Sequence, residues 1–125
     1  MNTRQKGDYS ELSVLTELVK NEKRVAIPYG NSQGFDLLVL GKKDKWKTIQ
    51  VKTAHRRGNR GNRIYVDTIR GTVLNKKRGY EKGAFDFLVA VLPNEKLFWV
   101  IPFHEMYKRR CLTISENRAV GWELI

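Results

Sequence analysis

The chain has 125 residues and a mass of 14.6 kDa, and its 24 Lys and Arg against 13 Asp and Glu leave a net charge of +11. That length suits one domain over residues 1–125, large enough to bury a core without covalent staples. A single cysteine, Cys111, excludes an internal disulfide and a cysteine-built zinc site. No apolar run approaches the ~18 residues of a membrane span, and the polar residues 1–7 are unlike a secretory leader, so a reduced, cytoplasmic protein with no membrane partner is expected.

Residues 8–21 carry a helical pattern, with Leu12, Leu15, Leu18 and Val19 on one face and Asp8 as the N-cap. Glu11 falls on the face of Leu15 and Leu18, where a carboxylate is costly unless paired or bound to a metal. A capping box between Asp8 and Glu11 is the plainer account of that residue. Residues 24–29 read as a short strand and 31–34 as a turn. Residues 35–40 form a strand that is apolar on both faces from Leu37 onward, which predicts a central place in a sheet. After a polar loop at 41–45, residues 46–53 form the next strand.

If these two strands make a hairpin, Leu40 pairs with Trp46, Leu38 with Thr48 and Asp36 with Gln50, at about 5 Å between opposed Cβ atoms. Gln50 and Lys52 are two apart and share a face. The register therefore gathers Asp36, Gln50 and Lys52 at one end of the hairpin. A slip of one residue would scatter them and leave three unrelated polar groups at a strand end.

Residues 55–63 hold no apolar side chain and predict an exposed basic loop. Residues 63–67 form a further strand, and 72–78 a short helix or turn. Residues 85–92 and 97–101 are apolar strands joined by a turn at 93–96, and 103–110 a short helix. Asp86 opens its strand much as Asp36 does, yet no x-Lys partner follows it, so it reads as structural. The order gives a mixed α/β domain with a hairpin-rich sheet.

The charge is concentrated. Residues 55–78 hold eight basic side chains against one acidic, whereas residues 79–125 are balanced at six of each. A solvated loop accounts for part of this, but the clustering favours a nucleic-acid partner. Arg56, Arg57, Arg60 and Arg63 are placed to follow a groove, Lys76, Lys77 and Arg78 to contact phosphates, and His55 to touch a phosphate near Lys52. Tyr29 and Asn31, just before Asp36, are further candidates for contact with DNA.

Asp36 and the Gln50 side-chain carbonyl are hard oxygen donors suited to Mg²⁺, the Val51 main-chain carbonyl offers a third, and Glu11 is placed to hold a metal-bound water. Lys52 would orient an attacking water and offset phosphate charge. Such a set fits phosphodiester hydrolysis.

KGDYSE at residues 6–11, PYG at 28–30, FDLL at 35–38 and IQVKTA at 49–54 resemble the PD-(D/E)xK nuclease superfamily, and most closely its group I intron-encoded homing endonucleases, which also carry Gln-x-Lys. FDFLVAVLP at 85–93 and FWVIP at 98–102 are similar to that branch's closing strands, so the resemblance covers residues 6–102. The motif's leading Pro is unmatched, because Phe35 precedes Asp36. Gln50 removes one negative charge, which implies weaker hold on Mg²⁺.

The resemblance implies a restriction-endonuclease-like core with a mixed sheet of four or more strands flanked by helices. It also implies Mg²⁺-dependent hydrolysis of double-stranded DNA, with Mn²⁺ able to substitute and no organic cofactor. Glu11, Asp36, Gln50 and Lys52 are the matched active-site residues. One site per subunit and two strands to cut imply a homodimer or homotetramer reading two half-sites. The alternatives are a structure-selective nuclease like the Holliday junction resolvases, against which Gln50 argues, and a non-catalytic nucleic-acid-binding module of the same fold.

Overall fold

Helix α1 spans Thr3–Lys20 in a computed structural model, which describes residues 1–30, 34–58, 63–70, 78–119 and 121–125, the side chains of Arg70 and Arg78 excepted. It begins more than a turn before the sequence pattern predicts. Asn2, not Asp8, is the N-cap: its side chain accepts from the Gln5 amide at 2.8 Å, and the Gln5 side chain accepts from the Asn2 amide at 3.0 Å. This reciprocal box satisfies two amides of the first turn and leaves Asp8 and Glu11 inside the helix, so the expected Asp8–Glu11 box does not form.

The buried stripe is Ser10, Val14 and Leu18, whereas Leu12 and Val19 are 60% and 57% exposed. The expected face holds for Leu18, which is buried, and for Leu15, which packs against the core, but not for Leu12 and Val19, because docking turns the helix toward Ser10 and Val14. Ser10 Oγ and Thr53 Oγ1 share a hydrogen bond of 2.5 Å that ties the helix to the sheet.

The strands, in chain order, are β1 (Val25–Ala26), β2 (Leu37–Leu40), β3 (Trp46–Thr53), β4 (His55–Arg57), β5 (Arg63–Asp67), β6 (Ile69–Arg70), β7 (Arg78–Gly79), β8 (Phe87–Leu92), β9 (Leu97–Pro102) and β10 (Cys111–Ile114), with a one-turn helix α2 (Phe103–Met106) before the last. Among the described residues the main sheet has the order β1-β2-β3-β8-β9, with β3 and β8 parallel and the other pairs antiparallel. This is the expected mixed sheet. The parallel pair needs a crossover, and residues 54–86 supply it.

Among the described residues two smaller units accompany it, a β6-β7 pair within the crossover and a β10-β5-β4 sheet in which β10, from beyond β9, joins the crossover's β5 and β4. The segment at 55–63, expected as a loop, is a hairpin stem where it is described. His55 to Arg57 pair with Tyr65 to Arg63 despite having no apolar residue, because the partner strand brings Ile64 and Val66 into the core. The β10 strand was not foreseen; its alternating exposure buries nothing fully, and pairing with β5 fixes it.

The sheet separates two apolar layers. Val14 and Leu18 of α1 pack with Val39, Ile49, Val51, Val89 and Val91 on one face, while Leu88, Ala90, Trp99 and Ile101 meet Ile64, Val66 and Met106 on the other. Successive β3 residues therefore alternate, Ile49 and Val51 toward α1, Gln50 and Lys52 toward the crossover. No described helix is long and apolar enough to cross a membrane.

Candidate active site

The β2–β3 register is the one expected: Leu40 opposes Trp46 and Leu38 opposes Thr48. Asp36 precedes β2 by one residue, its amide donating to the Ile49 carbonyl at 2.8 Å. Its carboxylate Oδ2 accepts from the Val51 amide at 2.8 Å and from Gln50 Nε2 at 2.9 Å. Gln50 Nε2 also lies 3.5 Å from the Val51 carbonyl oxygen, so that carbonyl stands beside the same pair. Asp36, Gln50 and Val51 are thus one hydrogen-bonded group. Its arrangement follows from antiparallel pairing and from strand alternation.

Glu11 comes from the helix to the Asp36 member of this group. The Ser10–Thr53 bond holds α1 against the C-terminal part of β3 one residue away from Glu11. Asp8, Glu11 and Asp36 line one cleft of about 330 Å³, walled by Leu12, Leu15 and Ile27. Burial, then the Asp36 and Asp8 carboxylates, push the Glu11 carboxyl up to about 7. Burial also raises Asp36 above the usual carboxylate range, against the lowering pull of the Val51 amide and the Lys52 ammonium. The cleft is therefore a place of surplus negative charge held on hard oxygens, the chemistry a divalent cation offsets. Among the described residues no three His, Cys, Asp or Glu side chains form a metal-holding cluster. An ion here would depend on neutral oxygens as well; the Val51 carbonyl stands beside Gln50 Nε2 at 3.5 Å, next to Asp36 at the cleft edge.

Lys52 extends from the face that carries Gln50. Its ammonium donates to the Ile69 carbonyl at 3.0 Å and lies 5.7 Å from the centre of the Tyr80 ring. Nothing in the sequence pattern pointed to these two partners.

The predicted DNA-binding residues divide. His55, Arg57 and Arg63 are exposed on the β4–β5 hairpin, with the Arg57 guanidinium 4.1 Å from the Tyr65 ring centre and His55 against the same ring. Tyr29 is 99% exposed, two residues along the chain from Ile27 of the cleft wall. Arg56 differs from its neighbours: it pairs with Glu95 at 2.5 Å and with Glu116, tying the hairpin to the β8–β9 turn and to the chain's C-terminal part. These bonds raise the Arg56 pKa and lower that of Glu95. Alternation explains the difference, because Arg56 points to the opposite side of β4 from His55 and Arg57. Asn31, Arg60, Lys76 and Lys77 lie outside the described residues, as do the Arg78 side chain and most of the helix or turn expected at 72–78. Asp86 is structural in its contacts: its carboxylate accepts from the Thr48 amide at 2.9 Å and from the Thr48 hydroxyl at 3.2 Å. A larger cleft of about 960 Å³ runs along β9 and β10, and none of Glu11, Asp36, Gln50 or Lys52 lines it.

A family model described as PD-(D/E)XK endonuclease matches residues 1–119. Among solved structures, the chain is similar to a bacterial homing endonuclease, I-Ssp6803I, at a TM-score of 0.75 and 24% sequence identity, covering 91% of this chain and 78% of that one. At that identity the likeness speaks for the fold. No curated protein matches the chain.

Proposed function

The chain belongs to the PD-(D/E)XK endonuclease family, and we propose that it is a divalent-metal-dependent, site-specific endonuclease of homing type that hydrolyses both strands of duplex DNA. The observation that carries this reading is the Asp36–Gln50–Val51 group, with Lys52 on the same strand face and Glu11 across the cleft. The fold likeness to a bacterial homing endonuclease supports the homing type.

Asp36, Gln50 and the Val51 carbonyl would hold Mg²⁺, with Mn²⁺ as a substitute, and Glu11 would hold a coordinated water. Rotation of the Gln50 amide exchanges its Nε2 for Oε1, which presents an oxygen in place of a donor. A divalent ion supplies Lewis-acid stabilisation of a phosphodiester oxygen and lowers the pKa of bound water.

The chain's own residues do the rest. Lys52 sets a positive charge beside the scissile phosphate, where charge develops in the transition state. Without a metal the Glu11 carboxyl is held up at about 7 by burial and by Asp36 and Asp8, so a cation bound in the cleft would release its proton close to neutral pH and leave a carboxylate to hold the coordinated water. Arg57, Arg63 and His55 contact backbone phosphates from the hairpin, and Tyr29 lies against the duplex beside the cleft. A single site cuts one strand at a time, so double-strand cleavage calls for a homodimer or homotetramer.

The test is Mg²⁺-dependent cleavage of a randomised duplex library, with a four-way junction in parallel and Asp36→Ala, checked for folding, as control. Cleavage of a narrow subset of duplexes, lost in the variant, is expected. Cutting of the junction alone would replace this reading with a resolvase-like one. Tight binding with no metal-dependent cutting would make the protein a binding module.

A further inference from the structure

Lys52 is carried by β3, yet what holds its ammonium comes from elsewhere. The Ile69 carbonyl accepts from Nζ at 3.0 Å, and the Tyr80 ring centre lies 5.7 Å away. Ile69 is on β6, and Tyr80 immediately follows β7, which pairs with β6 through Ile69 and Gly79. Both contacts therefore arise at the base of one hairpin.

Tyr80 is itself braced. Its ring meets Phe85 edge-on at 4.9 Å, and Phe85 meets Phe103 of α2 edge-on at 5.0 Å. Phe85 is 3% exposed, so the brace is rooted in the core. Edge-to-face pairs at these separations are the favourable aromatic geometry, and they fix where the Tyr80 ring stands.

A lysine side chain has much rotamer freedom to lose, and an ammonium acts in catalysis only when held near its working position. A carbonyl alone offers one hydrogen bond to a group with three rotatable donors. A π face adds attraction without consuming a donor. We propose that Tyr80 is the positioning residue of Lys52: its braced ring and the Ile69 carbonyl together hold the ammonium over the site. The inference rests on the reading of Lys52 as catalytic.

The experiment compares Tyr80→Phe, Tyr80→Leu and Lys52→Ala on whichever duplex or four-way junction the wild type cuts. It measures single-turnover rate with Mg²⁺, DNA affinity with Ca²⁺ and thermal melting. Tyr80→Phe keeps the ring and should cleave near the wild-type rate. Tyr80→Leu keeps apolar bulk without a π face and should lower the single-turnover rate about tenfold, with DNA affinity and melting unchanged. NMR gives a readout independent of cleavage: the Lys52 Cε protons should show a ring-current displacement that survives Tyr80→Phe and disappears in Tyr80→Leu. Wild-type rate in a folded Tyr80→Leu, no displacement in the wild type, or equal loss in both Tyr80 variants would overturn the proposal. Full cleavage by Lys52→Ala would instead overturn the assignment of Lys52 itself.

Discussion

Asp36 and Asp86 occupy matching places on the two sides of β3. Each stands one residue before a strand that pairs with β3, Asp36 before β2 and Asp86 before β8. Each main-chain amide donates to a β3 carbonyl, Ile49 for Asp36 at 2.8 Å and Thr48 for Asp86 at 3.1 Å. Each carboxylate accepts a β3 amide, Val51 at 2.8 Å and Thr48 at 2.9 Å. What differs is the company. Asp86 is exposed and its other partner is the Thr48 hydroxyl. Asp36 is half-buried, takes the Gln50 amide, shares a cleft with Glu11 and Asp8, and feels the Lys52 ammonium. An aspartate at a strand entry is a general way to satisfy a neighbouring amide. It gains chemistry only where other charges converge on it.

The largest effect expected from this contrast is on cleavage. Asp36→Asn should lower the rate by at least about 10³-fold while the folded protein still binds DNA in Ca²⁺. Asp86→Asn should leave cleavage per folded molecule unchanged. Equal loss of cleavage in both would break the comparison.

Glu11→Gln comes next, with a loss of about 10–100-fold, and it also tests the electrostatics. The Glu11 pKa is raised from 4.5 to about 7 in the fold, so between those values the native state binds more protons than the unfolded chain. Stability of the metal-free protein should fall as pH rises through that window. Because Glu11 is partly solvated, the change is of order 1 kcal/mol after screening. Melts between pH 4.5 and 8 without divalent ions should show this slope in the wild type and a flatter one in Glu11→Gln. A cation bound at the proposed site would displace this proton, so apparent Mg²⁺ affinity by calorimetry should rise with pH across 7.

Gln50→Glu should keep cleavage within about tenfold of wild type and tighten Mg²⁺ binding, since it adds a charged oxygen to the donor set. Complete loss with a normal fold would count against Gln50 as a metal ligand. Asp86→Ala isolates the structural side: removing the acceptor of the Thr48 amide should cost about 1 kcal/mol of unfolding free energy in urea, with no change in metal affinity.

The smallest effects separate two adjacent arginines. Arg57→Gln should lower the salt dependence of DNA binding by about one unit in log–log slope. Arg56→Gln should leave that slope unchanged, because Glu95 and Glu116 already neutralise its guanidinium.

The hairpin that assembles Asp36 and Gln50 was legible because strand alternation and a short connection leave few registers, and only one buries Leu37 and Val39 together with Ile49 and Val51. The β8–β9 pair was legible for the same reason, its two apolar runs flanking a four-residue turn. On α1 the same logic held only in part. Leu15 and Leu18 of the expected stripe do face the core, but Val14 joins them in place of Leu12 and Val19, and helical periodicity cannot set that rotation. The choice depends on Ser10 meeting Thr53, a contact between residues 43 positions apart. The helix start was hidden too, since an Asn-x-x-Gln box at the first residues competes with an equally suitable Asp-x-x-Glu box one and a half turns later.

The sequence by itself determined the local geometry of the site: the strands, their register, the shared face of Gln50 and Lys52, and the basic stretch that follows. Those are short-range properties, set by side-chain alternation and turn length. Only the tertiary structure decided how Glu11 comes to the cleft, what holds the Lys52 ammonium, and that Arg56 serves the fold while Arg57 stays exposed. Each of those depends on elements far apart in the chain, brought together by burial and by hydrogen bonds that no local pattern encodes.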